Sequence, residues 1–320
     1  MSQGAVEEHV TSSWWAEARA AWQRFWFTPR LPHTMAMIRI GCGLMLAYMH
    51  IIWLSQLDDF FGPHAWVDGP TSRYLHQLDA SRSYLSYVSN GWFLMLHELL
   101  AIAVSLLMAL GWRTGWVTLA AWFLTLMVCH RQTGALFGLD QVAMMLAMYL
   151  MICPAGAVAS WDAWREKRQR GTAGVVQPSV AINVATRLLQ VHLCIIYLFG
   201  GISKMRGDFW YEGSAMWWSL VNYEYQSLDV VWLGRWPLLI ALLTHAVVFW
   251  ETFYCALIWP RLTRPWTLAM AVLVHGGIAL ALGMPTFGLM MILANGVFIE
   301  PETLRGWIAW LAARAGRVRD

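Results

Sequence analysis

Residues 187–213 read RLLQVHLCIIYLFGGISKMRGDFWYEG. At about 100° per residue, Gln190, Cys194, Tyr197, Gly201 and Lys204 fall on one helical stripe of an otherwise apolar run. A polar stripe ending in a lysine predicts a helix that faces a lined cavity inside a bundle, not lipid. Gly200 and Gly201 permit close helix approach or a helix break just before the lysine. Lys204 is therefore expected at the outer mouth of a bundle. Partial desolvation there would make a neutral amine available as a base. The plainer reading is that Lys204 and Arg206 snorkel to the interface near Asp208 and Glu212.

The rest of the chain agrees with a membrane setting. Of 320 residues, 58% are hydrophobic and only 13% charged. A soluble globular chain is nearer 45–50% and about 25%. Mean hydropathy is +0.47. These values exclude a disordered chain, a nucleic-acid binder and an ordinary cytosolic enzyme. The 22 tryptophans suit interfacial belts. Apolar segments near 34–55, 91–111, 113–129, 139–153, 186–203, 238–259, 265–283 and 286–299 predict about eight spans within 34–300. The expectation is an all-α polytopic membrane protein, a single domain over 1–320. Amphipathic helices would lie in the interface at both ends, about 12–27 and 303–315. No cleavable signal peptide is expected, because Glu7, Glu8, Glu17, Arg19, Arg24 and Arg30 interrupt the start. The cysteines, Cys42, Cys129, Cys153, Cys194 and Cys255, show no metal-type spacing, and no metal is expected.

Eight spans would put both termini on one side. That side would carry fourteen Lys and Arg, and the other side six: Arg73, Arg82, Arg131, Lys204, Arg206 and Arg235. The excess predicts cytoplasmic termini, with loops 56–90 and 204–237 facing the periplasm or lumen. In a bacterium the inner (plasma) membrane is the expected location.

Ionisable groups at membrane depth are costly and are often functional or paired. Here they are Arg39, Glu98, Asp140, Arg187 and Glu251, with His50, His97, His192, His245 and His275. One reading is a set of interhelical hydrogen bonds. Another is a site built from Lys204, Glu251 and His275. A Glu251–His275 contact across the 260–265 turn would form a charge pair or a proton-transfer pair. P-loop, HExxH, GxSxG and GxGxxG signatures are missing, which argues against a phosphate-driven pump or a zinc protease.

The segment Arg187–Gly213, with Tyr197, the Gly-Gly pair, Ser203-Lys204 and Trp210-x-Glu212-Gly213, resembles the HTTM family. That family comprises the vitamin K-dependent γ-carboxylases and their bacterial relatives. Arg39-Ile40-Gly41, Phe61-Gly62-Pro63, Gly138-Leu139-Asp140, Glu251 and His275 follow in similar order, so the likeness covers roughly 25–300. The resemblance implies Lys204 as the base that deprotonates vitamin K hydroquinone, a menaquinol-like cofactor. The anion then reacts with oxygen, the strong base so formed removes a γ-proton from a peptide glutamate, and the carbanion takes up CO2. Lys204, His275 and Glu251 would be catalytic, and Tyr197, Gly201, Trp210, Arg39, Arg187 and Asp140 would bind the quinone. Membrane lipid and a peptide substrate are the expected partners. Two departures stand out. The carboxylases carry a large lumenal domain that is not expected here. They also keep an Asn-His pair near the start of the fourth span, where this sequence reads Phe137, Gly138, Leu139 and Asp140, with His130 nearby. The alternatives are a non-enzymatic membrane protein that assists maturation or export of a secreted peptide and, third, a transporter built on Glu251, His275 and Arg39.

Overall fold

The computed structural model describes residues 3–62, 65–170 and 176–317, with the side chains of the outermost residues at both ends left aside. Pro63 of the Phe61-Gly62-Pro63 motif and Arg319 of the charge count lie outside the described residues. The chain is all-helical, with no strand among those residues. We number the principal helices α1 (Gln3–Phe27), α2 (His33–Ser55), α3 (Gly91–Leu110), α4 (Thr114–Arg131), α5 (Gly138–Met151), α6 (Val180–Met205), α7 (Pro237–Leu257), α8 (Arg264–Ala281), α9 (Pro285–Asn295) and α10 (Pro301–Arg317).

Each of the eight apolar segments forms a helix, α2 to α9, but eight full spans are not what the lengths give. Five helices, α2, α3, α6, α7 and α8, are long and apolar enough to cross a bilayer. The count rises to six if 285–298 and 301–311, bent by 111° at their junction, make one span. α5 has only 14 residues, about 21 Å of helix against a hydrocarbon core of about 30 Å. α4 reaches 18 residues but spends them partly on threonines, tryptophans, His130 and Arg131.

α2 lies at the centre, against α3 on one side and α5, α9 and α10 on others, and α6 packs along α7. The core runs through Met35, Ile38, Cys42 and Leu46 of α2, Leu146 and Leu150 of α5, and Leu189 and Leu193 of α6. Helices α1 and α10 cover the two flanking stretches with wider bounds than the expected 12–27 and 303–315, and expose aromatic and aliphatic side chains, among them Trp14, Trp15, Trp307, Ile308 and Leu311.

Arg39 is completely buried on α2, and its guanidinium is spent on backbone. Nη1 donates to the carbonyls of Met108 (2.6 Å) and Ala109 (2.5 Å), Nη2 to Ala159 (2.6 Å) and Nε to Ala155 (3.2 Å). Met108 and Ala109 belong to the last turn of α3, where helix carbonyls lack intrahelical donors and the helix dipole favours a cation. Gly111 ends that helix in the left-handed region (φ 72°), and a Cβ there would lie 2.7 Å from Arg39 Nη1. From the first turn of the short helix Trp161–Arg170, Asp162 accepts from the Arg113 N–H (2.8 Å) and from the Thr114 N–H and hydroxyl (both 2.9 Å), closing the start of α4. Arg39 thus ties the ends of α2, α3 and the segment after α5 into one unit. Arg39→Ala strips four inward carbonyls of their cationic donor. It should lower unfolding stability by at least about 3 kcal/mol, read as a falling midpoint of detergent-solubilised thermal unfolding.

Candidate functional site

The α6 stripe is buried as its periodicity implies: Gln190, Cys194, Tyr197 and Gly201 all face inward. They meet protein, chiefly α7. The Gly-Gly pair explains how. A Cβ on Gly201 would sit 2.6 Å from the Thr252 backbone N and 2.9 Å from its Cα, so only glycine lets the two backbones approach this closely. A Cβ on Gly200 would lie 3.4 Å from Glu251 Oε2. α6 continues through the pair without a break to Met205.

That close approach delivers Lys204 to Glu251. Lys204 Nζ donates to Glu251 Oε2 at 2.6 Å, with side-chain exposures of 27% and 12%. The pair is half-enclosed and neither sealed nor in open solvent. The Trp210 ring, on the short helix Asp208–Tyr211, lies with its centroid 5.3 Å from Nζ and offers its face to the cation. Glu251 stands fifteen residues into α7, about 21 Å from that helix's start, so the amine meets α7 at mid-length and not at its end.

The expected Glu251–His275 contact is replaced by two others. Glu251 pairs with Lys204, because the Gly201–Thr252 approach brings the α6 amine to it first. His275 Nε2 lies 2.7 Å from the Tyr197 hydroxyl. Beyond Tyr197, Asn295 Nδ2 donates to Tyr197 Oη (2.7 Å) and to the Met291 carbonyl (2.8 Å), and the Tyr254 hydroxyl donates to Asn295 Oδ1 (2.7 Å). Tyr197 stacks on Tyr254 with ring centroids 4.1 Å apart, and Trp250 and Phe287 flank His275 at 6.2 and 6.0 Å. Two buried polar atoms here have no hydrogen-bond partner among the described residues, His275 Nδ1 and Thr252 Oγ1.

The structure therefore gathers Lys204, Glu251, Trp210, Gly201, Tyr197 and His275 along α6, α7 and α8. It does not bring the other three to them. Arg39 is occupied at the far end of α2. Arg187 sits 17 residues from Lys204 on the same helix, about 25 Å away, where it donates to the Phe25 carbonyl (3.2 Å) and to Gln190 Oε1 (2.9 Å) and stacks on Phe25. Asp140 accepts from the Phe137 N–H (2.9 Å) and caps the start of α5. Three of the remaining intramembrane histidines have partners: His50 with Glu98 (2.7 Å) and Thr125 (3.0 Å), His97 with Tyr84 (2.8 Å) and His192 with Tyr149 (2.9 Å). A separate cleft of about 200 Å³ is lined by residues of 72–87, including Arg73, His76 and Arg82, and by none of the Lys204 cluster.

Asn295 and Tyr254 join the cluster without being expected from the sequence. Tyr254 carries a signal, since it follows Glu251 by three residues and shares its face. Asn295 ends an apolar run before Gly296 and reads as a helix-ending residue.

Comparison with known proteins places the sequence in a family. The HTTM domain profile matches residues 27–303, nearly the whole helical body. The chain belongs to the HTTM family. Sporulation-delaying protein SdpB of Bacillus subtilis (strain 168) is 26% identical to it over 218 residues. That alignment covers 63% of this HTTM chain and 63% of SdpB, under two thirds of the relative's length. No solved structure matches.

Removing one member of the Lys204–Glu251 pair leaves the other charge partly buried and unpartnered. Lys204→Met or Glu251→Leu alone should each destabilise the protein more than the Lys204→Met, Glu251→Leu double variant does. A thermal-unfolding double-mutant cycle reads that coupling, expected at about 1–3 kcal/mol.

Proposed function

We propose that this HTTM protein is a quinol-dependent membrane enzyme in which Lys204, paired with Glu251, acts as the base on a hydroquinone and the substrate is a peptide or small molecule. The observation that carries the reading is the 2.6 Å Lys204–Glu251 contact, half-enclosed beside an aromatic cluster. One proton shared across that distance leaves a neutral amine whenever it rests on Glu251.

The residues fit a planar ring that bears oxygen atoms. Tyr197, Trp250, Tyr254 and Phe287 supply ring surfaces, and His275 Nδ1 and Thr252 Oγ1 are polar atoms without partners among the described residues. A bound hydroquinone would supply an acidic phenolic hydrogen and two electrons. Lys204 Nζ would take up a proton there while Glu251 keeps the shared one, and the neutral Glu251 carboxyl group and the Trp210 face would hold the ammonium that results. Gly201 keeps α7 close enough for Glu251 to stay in reach. Arg39, Arg187 and Asp140 take no part in this mechanism.

A second reading is favoured by the same ion pair taken as structure: a non-enzymatic membrane protein that assists maturation or export of a secreted peptide. Purified protein in lipid nanodiscs, given vitamin K hydroquinone and oxygen, separates the two. The enzyme reading expects epoxide, with Lys204→Ala lowering its rate at least about 100-fold. Equal turnover by the alanine variant would overturn Lys204 as the base. No epoxide from either protein, together with maturation of a co-expressed secreted peptide that still requires the chain, would establish the second reading.

A further inference from the structure

The hydrogen-bond chain behind Tyr197 has a direction, and one backbone carbonyl sets it. The Met291 carbonyl can only accept, so the Asn295 amide atom 2.8 Å from it must be the nitrogen. That orientation gives the second Nδ2 hydrogen to Tyr197 Oη and leaves Oδ1 to accept from Tyr254. Tyr197 therefore has no acceptor in Asn295. The acceptor within reach of its O–H is His275 Nε2, at 2.7 Å. With a neutral imidazole, the bond can be drawn two ways. If Tyr197 donates to Nε2, the ring proton sits on Nδ1 and one buried group is left unpaired. If Nε2–H donates to Tyr197, both the Tyr197 O–H and Nδ1 are left unpaired. Each unsatisfied buried group costs about 1–3 kcal/mol, so the first arrangement wins.

His275 then carries an Nδ1–H that is buried and partnerless among the described residues. The residue is 4% exposed, is flanked by Trp250 and Phe287, and shares Tyr197 and Trp250 with the α6–α7 side of the cluster. A lone donor among aromatic rings lacks an acceptor, and an oxygen on a flat apolar ring, phenolic in the quinol and carbonyl in the quinone, supplies one. We infer that the Met291 carbonyl, acting through Asn295 and Tyr197, fixes His275 as the Nδ1–H tautomer and makes it the hydrogen-bond donor to a ligand ring oxygen at the Lys204–Glu251 site. The ligand half of this inference rests on the quinol reading above; the tautomer half does not. His275 is the residue that touches the ligand. Tyr197 and Asn295 are positioning residues that act through it.

The test is nitrogen NMR on ¹⁵N-histidine-labelled full-length protein in nanodiscs, with His275→Gln used to assign the signal and menadione as the probe. The expected spectrum has a pyrrole-type Nδ1 and a pyridine-type Nε2. Tyr254→Phe leaves Asn295 held by Met291 and should leave this pattern unchanged. Asn295→Asp puts an acceptor beside Tyr197, turns the hydroxyl toward it, and should move the ring proton to Nε2. Tyr197→Phe removes the hydroxyl without a change of ring and should abolish the preference. Menadione should shift the Nδ1 signal, and Tyr197→Phe should weaken its binding about tenfold. An Nε2–H tautomer in the parent protein would overturn the relay. An Nδ1–H signal that stays put while menadione binds would overturn the donor role and leave the quinol reading intact. Failure of menadione to bind at all, with the Nδ1–H tautomer present, would overturn the quinone reading and with it the ligand half, while the relay stands.

Discussion

Polar groups that enter an apolar bundle have to be satisfied inside it, because the hydrocarbon around the bundle offers neither donors nor acceptors. That constraint accounts for the placement of nearly every ionisable residue in the bundle. Arg39 spends its guanidinium on four backbone carbonyls, His50 meets Glu98 and Thr125, and Lys204 meets Glu251. Each of these contacts joins segments distant in sequence, so the polar groups specify which helices become neighbours. The apolar surfaces of the same helices, interchangeable with lipid, could not do so.

The clusters differ in how completely they close. Around Arg39 the donors and acceptors are matched in type and geometry, and around Asp162 three donors converge on one carboxylate. The α6–α7–α8 cluster is different. It holds a half-exposed ion pair, a set of stacked aromatic rings, and two buried polar atoms left over. Buried polar atoms without partners among the described residues also occur at His97 Nε2, Ser105 Oγ and Thr118 Oγ1, so the partly exposed ion pair beside stacked rings is what sets this cluster apart. The proposed function rests on this cluster, although Arg39 is the more deeply buried cation.

Much of this is legible in the residues themselves. Hydropathy marks all eight helices, and the 3.6-residue period of Gln190, Cys194, Tyr197, Gly201 and Lys204 marks the inward face of α6. Lys204, Glu251, His275 and Tyr197 are candidates by residue type and position, Trp210 by the family resemblance, and they do assemble. Arg39, Arg187 and Asp140 are equally good candidates by residue type, yet they sit elsewhere, capping helix ends and clamping backbone. A charged residue in an apolar segment looks the same in sequence whether it holds a helix terminus or lines a site. Asn295 escapes notice because an asparagine before a glycine is the ordinary signature of a helix end.

Composition and periodicity alone determined that the chain is a helical membrane protein, which segments are helices, and which face of α6 turns inward, since these depend on local spacing and on the cost of exposing polar groups to lipid. The partners were decided only by the tertiary structure. Which helix receives Lys204 depends on Gly201 fitting against Thr252, and which atom receives the His275 proton depends on the Met291 carbonyl on the next helix. Both are matters of close approach between separate helices, and single-residue properties carry no record of that distance.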